Sequence, residues 1–131
     1  MRALIIDDSA VMRKVVERAL RQAGIDLIEV FQASDGAEAL DVLRSVPSIG
    51  LIMCDINMPG MDGMQFLEQK LKDGLALDTP VVMITTEANE VLVRRVIAAG
   101  ARGYICKPFT PDQVKARVVP LLISAANRPN A

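Results

Sequence analysis

A chain of 131 residues, 51% hydrophobic and 24% charged, carries enough apolar material for one packed core and too much for a disordered tail. Its 15 basic and 16 acidic residues leave a formal net charge of −1, without the basic excess by which a nucleic-acid binder neutralises phosphates. Histidine is absent, which excludes Ser/His and Cys/His nucleophile pairs, His metal sites and a phosphohistidine role, so any chemistry must run on carboxylates, hydroxyls and amines.

The chain opens on Met1-Arg2-Ala3 and an apolar run, unlike a signal peptide. No apolar run approaches the roughly 20 residues that cross a bilayer, so no membrane insertion and a cytoplasmic location are expected. Ala3–Ile6 reads as a strand running into Asp7-Asp8. A helix follows, with Val11, Val15, Ala19 and Ala23 at four-residue spacing, Val16 and Leu20 beside them, and Arg13, Lys14, Glu17, Arg18 and Arg21 on the other face. Ser9 suits its N-cap and Gly24 its stop. A weaker strand is predicted at Leu27–Gln32 and a helix at Asp35–Ser45. Leu51–Cys54 then runs into Asp55, ahead of a helix at Gly63–Lys72. Val81–Ile84 runs into Thr85-Thr86, ahead of a helix at Asn89–Ala99 that Gly100 ends. A last strand at Gly103–Cys106 precedes a helix opened by Pro111 and reaching Ile123. Val114, Val118, Leu121 and Leu122 give that helix one apolar stripe, but Pro120 lies within it, and a kink or an early end is expected there. Asn127–Ala131 reads as a frayed tail. Cys54 and Cys106 sit in apolar runs and read as small buried thiols.

Short apolar runs without polar alternation fit strands covered on both faces, and five strands each followed by a helix imply an α/β, doubly wound parallel sheet in one (βα)5 domain. In such folds ligands meet the C-terminal strand ends, where Asp7, Asp8, Asp55 and Thr85 all fall. Converging carboxylates repel by about 4 kcal/mol per pair at an effective dielectric of ~20. They must bind a cation, share protons or stay wet. An all-oxygen set favours Mg²⁺, with Mn²⁺ or Ca²⁺ as substitutes. The plainer alternative is that Asp7 and Asp8 only cap the first helix. Lys107, before Pro108, offers either a simple ion pair or a clasp for a phosphoryl oxygen. Thr85 is either an ordinary strand-end hydroxyl or a donor to the same group. Together they form a constellation for phosphoryl transfer to a carboxylate.

With Asp7-Asp8, Asp55, the loop Asn57-Met58-Pro59-Gly60-Met61-Asp62-Gly63, Thr85 and Lys107-Pro108-Phe109 in register, the chain from Arg2 to Ile123 resembles a response-regulator receiver domain. Asp7-Asp8-Ser9, Asn57, Thr85-Thr86-Glu87-Ala88 and Tyr104 bring it nearest the single-domain CheY-like chemotaxis regulators. The resemblance implies a flavodoxin/CheY-like sheet of order 2-1-3-4-5, with a receiver domain over residues 1–125 and a tail over 126–131. It implies that a sensor histidine kinase or small phosphodonor phosphorylates Asp55. Mg²⁺ would be held by Asp8, Asp55 and the Asn57 backbone carbonyl, with Asp7 acting through water. Thr85 and Lys107 would bind the phosphoryl oxygens, and the Lys107–Pro108 peptide would be cis.

The resemblance also makes Thr85 and Tyr104 a switch pair, and Asn57 and Glu87 positions that tune dephosphorylation. Tyr104 otherwise reads as a half-buried strand aromatic, and Glu87 as a solvated acid. A downstream protein target would read the surface around Asn89–Ile123, which Arg94, Arg95, Lys115 and Arg117 make locally basic. A stand-alone signalling protein, monomeric or weakly dimeric, is expected rather than an enzyme. A chemotaxis regulator leads, with another single-domain regulator or a phosphorelay intermediate as alternatives. A haloacid-dehalogenase-like phosphatase would want an acid where Asn57 stands, and a flavin module would want an anion cradle where Asp7-Asp8 would repel phosphate.

Overall fold

The computed structural model describes residues 1–87 and 89–126. They form β1 (Arg2–Ile6), α1 (Ala10–Gln22), β2 (Glu29–Ala33), α2 (Gly36–Ser45), β3 (Ile49–Asp55), α3 (Gly63–Lys72), β4 (Val81–Thr85), α4 (Glu90–Ala98), β5 (Gly103–Cys106) and α5 (Pro111–Ala126). All strand pairs are parallel, in the order β2-β1-β3-β4-β5, as the resemblance implied. No helix among the described residues is long and apolar enough to cross a membrane.

Side-chain alternation along the strands divides the core into two layers. Ala3, Ile5, Leu51, Met53, Val82, Ile84 and Ile105 pack against Val16, Ala19 and Leu20 of α1 and Val114 and Val118 of α5. Leu4, Ile6, Ile52, Cys54, Val81 and Met83 face the opposite layer, with Ala39 and Leu40 of α2, Phe66 and Leu67 of α3, and Val96 of α4. Both faces of the central strands are therefore dry, which is why their sequences read as unbroken apolar runs.

Several sequence expectations are corrected. The second strand is Glu29–Ala33 rather than Leu27–Gln32, because pairing with β1 starts where Arg2 meets Glu29. Asp35 and Asn89 are N-caps, their carboxylate and amide oxygens accepting from the Glu38 and Leu92 N–H groups, rather than first helical residues. Val11 is 71% and Val15 43% exposed, so the buried stripe of α1 is Val16, Ala19 and Leu20. Cys106 is exposed, since it closes an edge strand, whereas Cys54 is buried as expected.

Pro120 does not end its helix, which continues to Ala126, a residue assigned to the tail from sequence. A proline in this position removes the hydrogen bond to the carbonyl four residues back. Both Pro120 and Ala116 are exposed, so water can satisfy that carbonyl. The rest of the tail, 127–131, and Ala88 of the Thr85–Ala88 motif lie outside the described residues.

Candidate functional site

The site lies where β1, β3, β4 and β5 end. One carboxylate oxygen each from Asp7, Asp8 and Asp55 lies within 4.8 Å of the others. Asp7 and Asp55 are buried and Asp8 is exposed. The capping alternative for the two acids does not hold, because Ser9 caps α1 by accepting from the Met12 N–H at 3.2 Å. Asp7 instead folds back on its own loop and accepts from the Ser9 N–H at 2.9 Å. The donor set is all oxygen, compact and open on the Asp8 side, which fits a hard divalent cation.

Lys107 enters from the far edge of the sheet. Its backbone N–H donates to the Thr85 carbonyl at 2.7 Å, and its Nζ lies 3.4 Å from both Asp7 Oδ2 and Asp55 Oδ1. The Lys107–Pro108 peptide is cis, as the resemblance implied. Burial pushes the Asp55 carboxyl above its ordinary pKa; Lys107 pulls it down, and Asp7 and Asp8 push it further up. One lysine cannot offset three acids. A cation would complete the balance. The neighbouring Cys54 thiol is held well above its usual pKa by burial first, then by Asp55, and is inert.

Backbone packing also holds Asp55 in place. The Gly63 N–H donates to the Ile56 carbonyl at 2.9 Å, and a Cβ on Gly63 would stand 2.4 Å from the Asp55 carbonyl oxygen and 2.8 Å from the Ile56 Cα. Only a glycine admits this approach of α3 to the end of β3. Asp62 and Gln65 cap that helix reciprocally.

Thr85 is buried, and its hydroxyl is already engaged, donating to the Glu87 carbonyl at 2.9 Å and accepting from the Glu87 N–H at 3.0 Å. Asn57, Thr85 and Glu87 line one hollow with Ile56, Asn89, Val91, Leu92 and Arg95. Tyr104 stands apart from the acids, half-buried, with the Arg117 guanidinium 5.3 Å from its ring centroid. Its ring and Arg117 line a groove with Cys106, Pro108, Gln113 and Ala116, inside the surface suggested for a target. The structure thus brings Asp7, Asp8, Asp55 and Lys107 together, sets Thr85, Asn57 and Glu87 around one hollow, and leaves Tyr104 on the flank.

One residue of the polar face of α1 reaches the acidic loop. Arg13 donates from its guanidinium to the Asp7 carbonyl at 2.6 Å and from Nε to the Gln32 side chain at 2.7 Å. The signal was its position one helical turn after the Ser9 cap, which points it back at the loop.

Residues 3–119 match the sequence profile of the response regulator receiver domain. A chemotaxis protein CheY homolog of Campylobacter jejuni is 34% identical over 122 residues, 93% of this chain and 92% of the relative. The crystallised chemotaxis protein CheY4 of Vibrio cholerae superposes with a TM-score of 0.80 at 32% identity, covering 92% of this chain and 97% of that one. The CheX-CheY-BeF3-Mg²⁺ complex from Borrelia burgdorferi contains a chain that superposes with a TM-score of 0.80 at 30% identity, covering 92% of this chain and 88% of that one.

Proposed function

The chain belongs to the response regulator receiver domain family, and on that premise we propose that it is a CheY-like regulator of chemotaxis signalling whose Asp55 accepts a phosphoryl group. The observation that carries the reading is the joint placement of three carboxylates within 4.8 Å and one ammonium 3.4 Å from two of them. Asp8, Asp55 and the Asn57 carbonyl would hold Mg²⁺, with Asp7 beside them. The ion supplies charge neutralisation for the transferring phosphoryl oxygens.

The remaining work falls to side chains of this chain. An Asp55 carboxylate oxygen attacks the phosphorus of a phosphohistidine on a sensor kinase, or of a small acyl phosphate. The new acyl–phosphate bond forms as the P–N or P–O bond breaks, and the leaving atom keeps the electron pair. Lys107 is already within reach and would transfer its contact from the carboxylates to a phosphoryl oxygen. Thr85 must give up its hydrogen bond to the Glu87 carbonyl before its hydroxyl can donate to the same group. That exchange would draw on the Glu87 loop and couple Asp55 to α4, with Tyr104 responding on the next strand and a protein target reading the 89–123 surface. Asn57 and Glu87, lining the hollow beside Thr85, would tune hydrolysis. A cytoplasmic protein that assists its own phosphorylation, rather than an enzyme acting on a separate substrate, fits this reading.

Incubation with acetyl phosphate and Mg²⁺ is expected to add one phosphoryl mass, which hydroxylamine removes. Asp55→Asn should abolish the addition, and labelling that persisted in that variant would rule out Asp55 as the acceptor.

A further inference from the structure

The geometry points to Arg13 as a positioning residue for the cation site, a role that rests on the function proposed above. Its guanidinium spans two anchors, the Asp7 backbone carbonyl at 2.6 Å and the Gln32 side-chain oxygen at 2.7 Å. Gln32 belongs to β2, and the Asp7 N–H donates to the carbonyl of Ala33 on the same strand at 3.1 Å. Arg13 therefore ties the first turn of α1, the end of β1 and β2 into one frame. The Asp7 carbonyl oxygen belongs to the peptide that joins Asp7 to Asp8. Fixing it fixes the plane from which the Asp8 side chain departs, and Asp8 is the exposed member of the cluster.

A bound carbonyl on one side and the Ser9 N–H on the Asp7 carboxylate at 2.9 Å on the other leave that peptide little freedom to swing. Outer hydrogen bonds of this kind orient metal ligands without touching the ion.

The sign of one measurement separates this role from a plain electrostatic one. Arg13 is a cation bonded to the loop that carries Asp7 and Asp8, so if its charge were what mattered, removing it would tighten Mg²⁺ binding. If its hydrogen bonds matter, removal weakens binding.

Mg²⁺ titration of the full chain, followed by the backbone amide NMR shifts near Asp8 and Asn57, is the test. Arg13→Gln and Arg13→Ala are expected to raise the apparent Mg²⁺ dissociation constant about tenfold, the lower end for losing an outer hydrogen bond around a metal site. Arg13→Lys, which keeps the charge but reaches only one of the two anchors, and Gln32→Ala, which removes the second anchor alone, should each weaken binding less than Arg13→Ala does. In the metal-free protein the Ser9 amide should exchange faster in Arg13→Ala. Labelling by acetyl phosphate should fall at limiting Mg²⁺ and recover at saturating Mg²⁺. Tighter or unchanged binding in Arg13→Gln, or a labelling loss that saturating Mg²⁺ does not repair, overturns the assignment while the proposed function stands. A wild-type chain silent to both Mg²⁺ and acetyl phosphate overturns the function itself. Should Arg13→Ala fail to fold, Arg13→Lys and Gln32→Ala still decide the question.

Discussion

The helices that follow β1 and β4 flank the same site, yet they are held to the sheet very differently. α1 has 13 residues and buries Val16, Ala19 and Leu20, while its Arg13 is tied to the Asp7 carbonyl. α4 has 9 residues and, among the described residues, buries Val96 alone; Val91 is 68% and Ile97 46% exposed. An open groove lined by Met64, Leu71, Arg95, Ala98 and Ala99 separates it from α3. The side that carries Asp7 and Asp8 is thus anchored by packing, and the side that carries Thr85 and Glu87 is held by a few contacts. A metal site needs ligands fixed in advance, whereas a switch needs an element whose position a single hydrogen bond can change. One sheet edge supplies both by burying one helix more deeply than the other.

A matched pair of substitutions tests whether the two helices differ in this way. Val16 and Val96 are the same residue and are both 1% exposed. Val16→Ala should cost about 2 kcal/mol, the transfer term for two methylenes plus a cavity that the packed α1 cannot close. Val96→Ala should cost about 1.5 kcal/mol, close to the transfer term alone, because a lightly held helix settles into the space. Urea denaturation of both variants checks this, and equal losses would show that α4 is as rigid as α1.

The charged centre between the two helices gives a smaller effect with a defined pH dependence. Asp55 binds its proton more tightly in the folded chain than in the unfolded one, mainly through burial. Protonation therefore favours the fold, and stability should fall as pH rises through the raised folded pKa of Asp55. Asp55→Asn removes that slope and should raise the melting temperature at neutral pH. Melting curves across the acid range, with no Mg²⁺ present, measure it; a variant no more stable than wild type at neutral pH would contradict the burial argument.

The smallest effect sharpens the compliant side. Thr85→Ala removes both hydrogen bonds to Glu87. Exchange of the Glu87 amide should quicken about fivefold, a net loss near that of one ordinary hydrogen bond. Amides of α1 should not change. Hydrogen exchange read by NMR distinguishes this from a loss of protection spread through the sheet.

Much of the site was legible because its members stand at strand ends, and strand ends follow from where an apolar run meets polar residues. Ala3–Ile6 into Asp7-Asp8, Leu51–Cys54 into Asp55, and Val81–Ile84 into Thr85 each needed only contiguous residues. Helix limits set by local capping were equally readable, with α3 beginning at Gly63 and ending at Lys72 as predicted. Exposure was not. Four-residue spacing placed Val11 and Val15 on the inner stripe of α1, but such a row drifts around a helix of 3.6 residues per turn, and only its Ala19 and Ala23 end is covered. Cys106 lay in an apolar run, and only the strand order made β5 an edge that leaves its thiol uncovered. Pro120 broke a pattern without breaking a helix, at a point where both it and Ala116 are exposed.

By itself, then, the sequence determined the βα alternation, the parallel sheet and the acids, hydroxyl and amine available at its C-terminal edge, since periodicity and capping act within a few neighbouring residues. Tertiary structure alone decided that Lys107 meets Asp7 across 100 positions, that Arg13 braces the Asp7 carbonyl, that Thr85 is occupied by Glu87, and that α4 is the lightly held helix. Those outcomes depend on which strand lies beside which and how much of each helix the sheet covers, and contacts between distant segments set both.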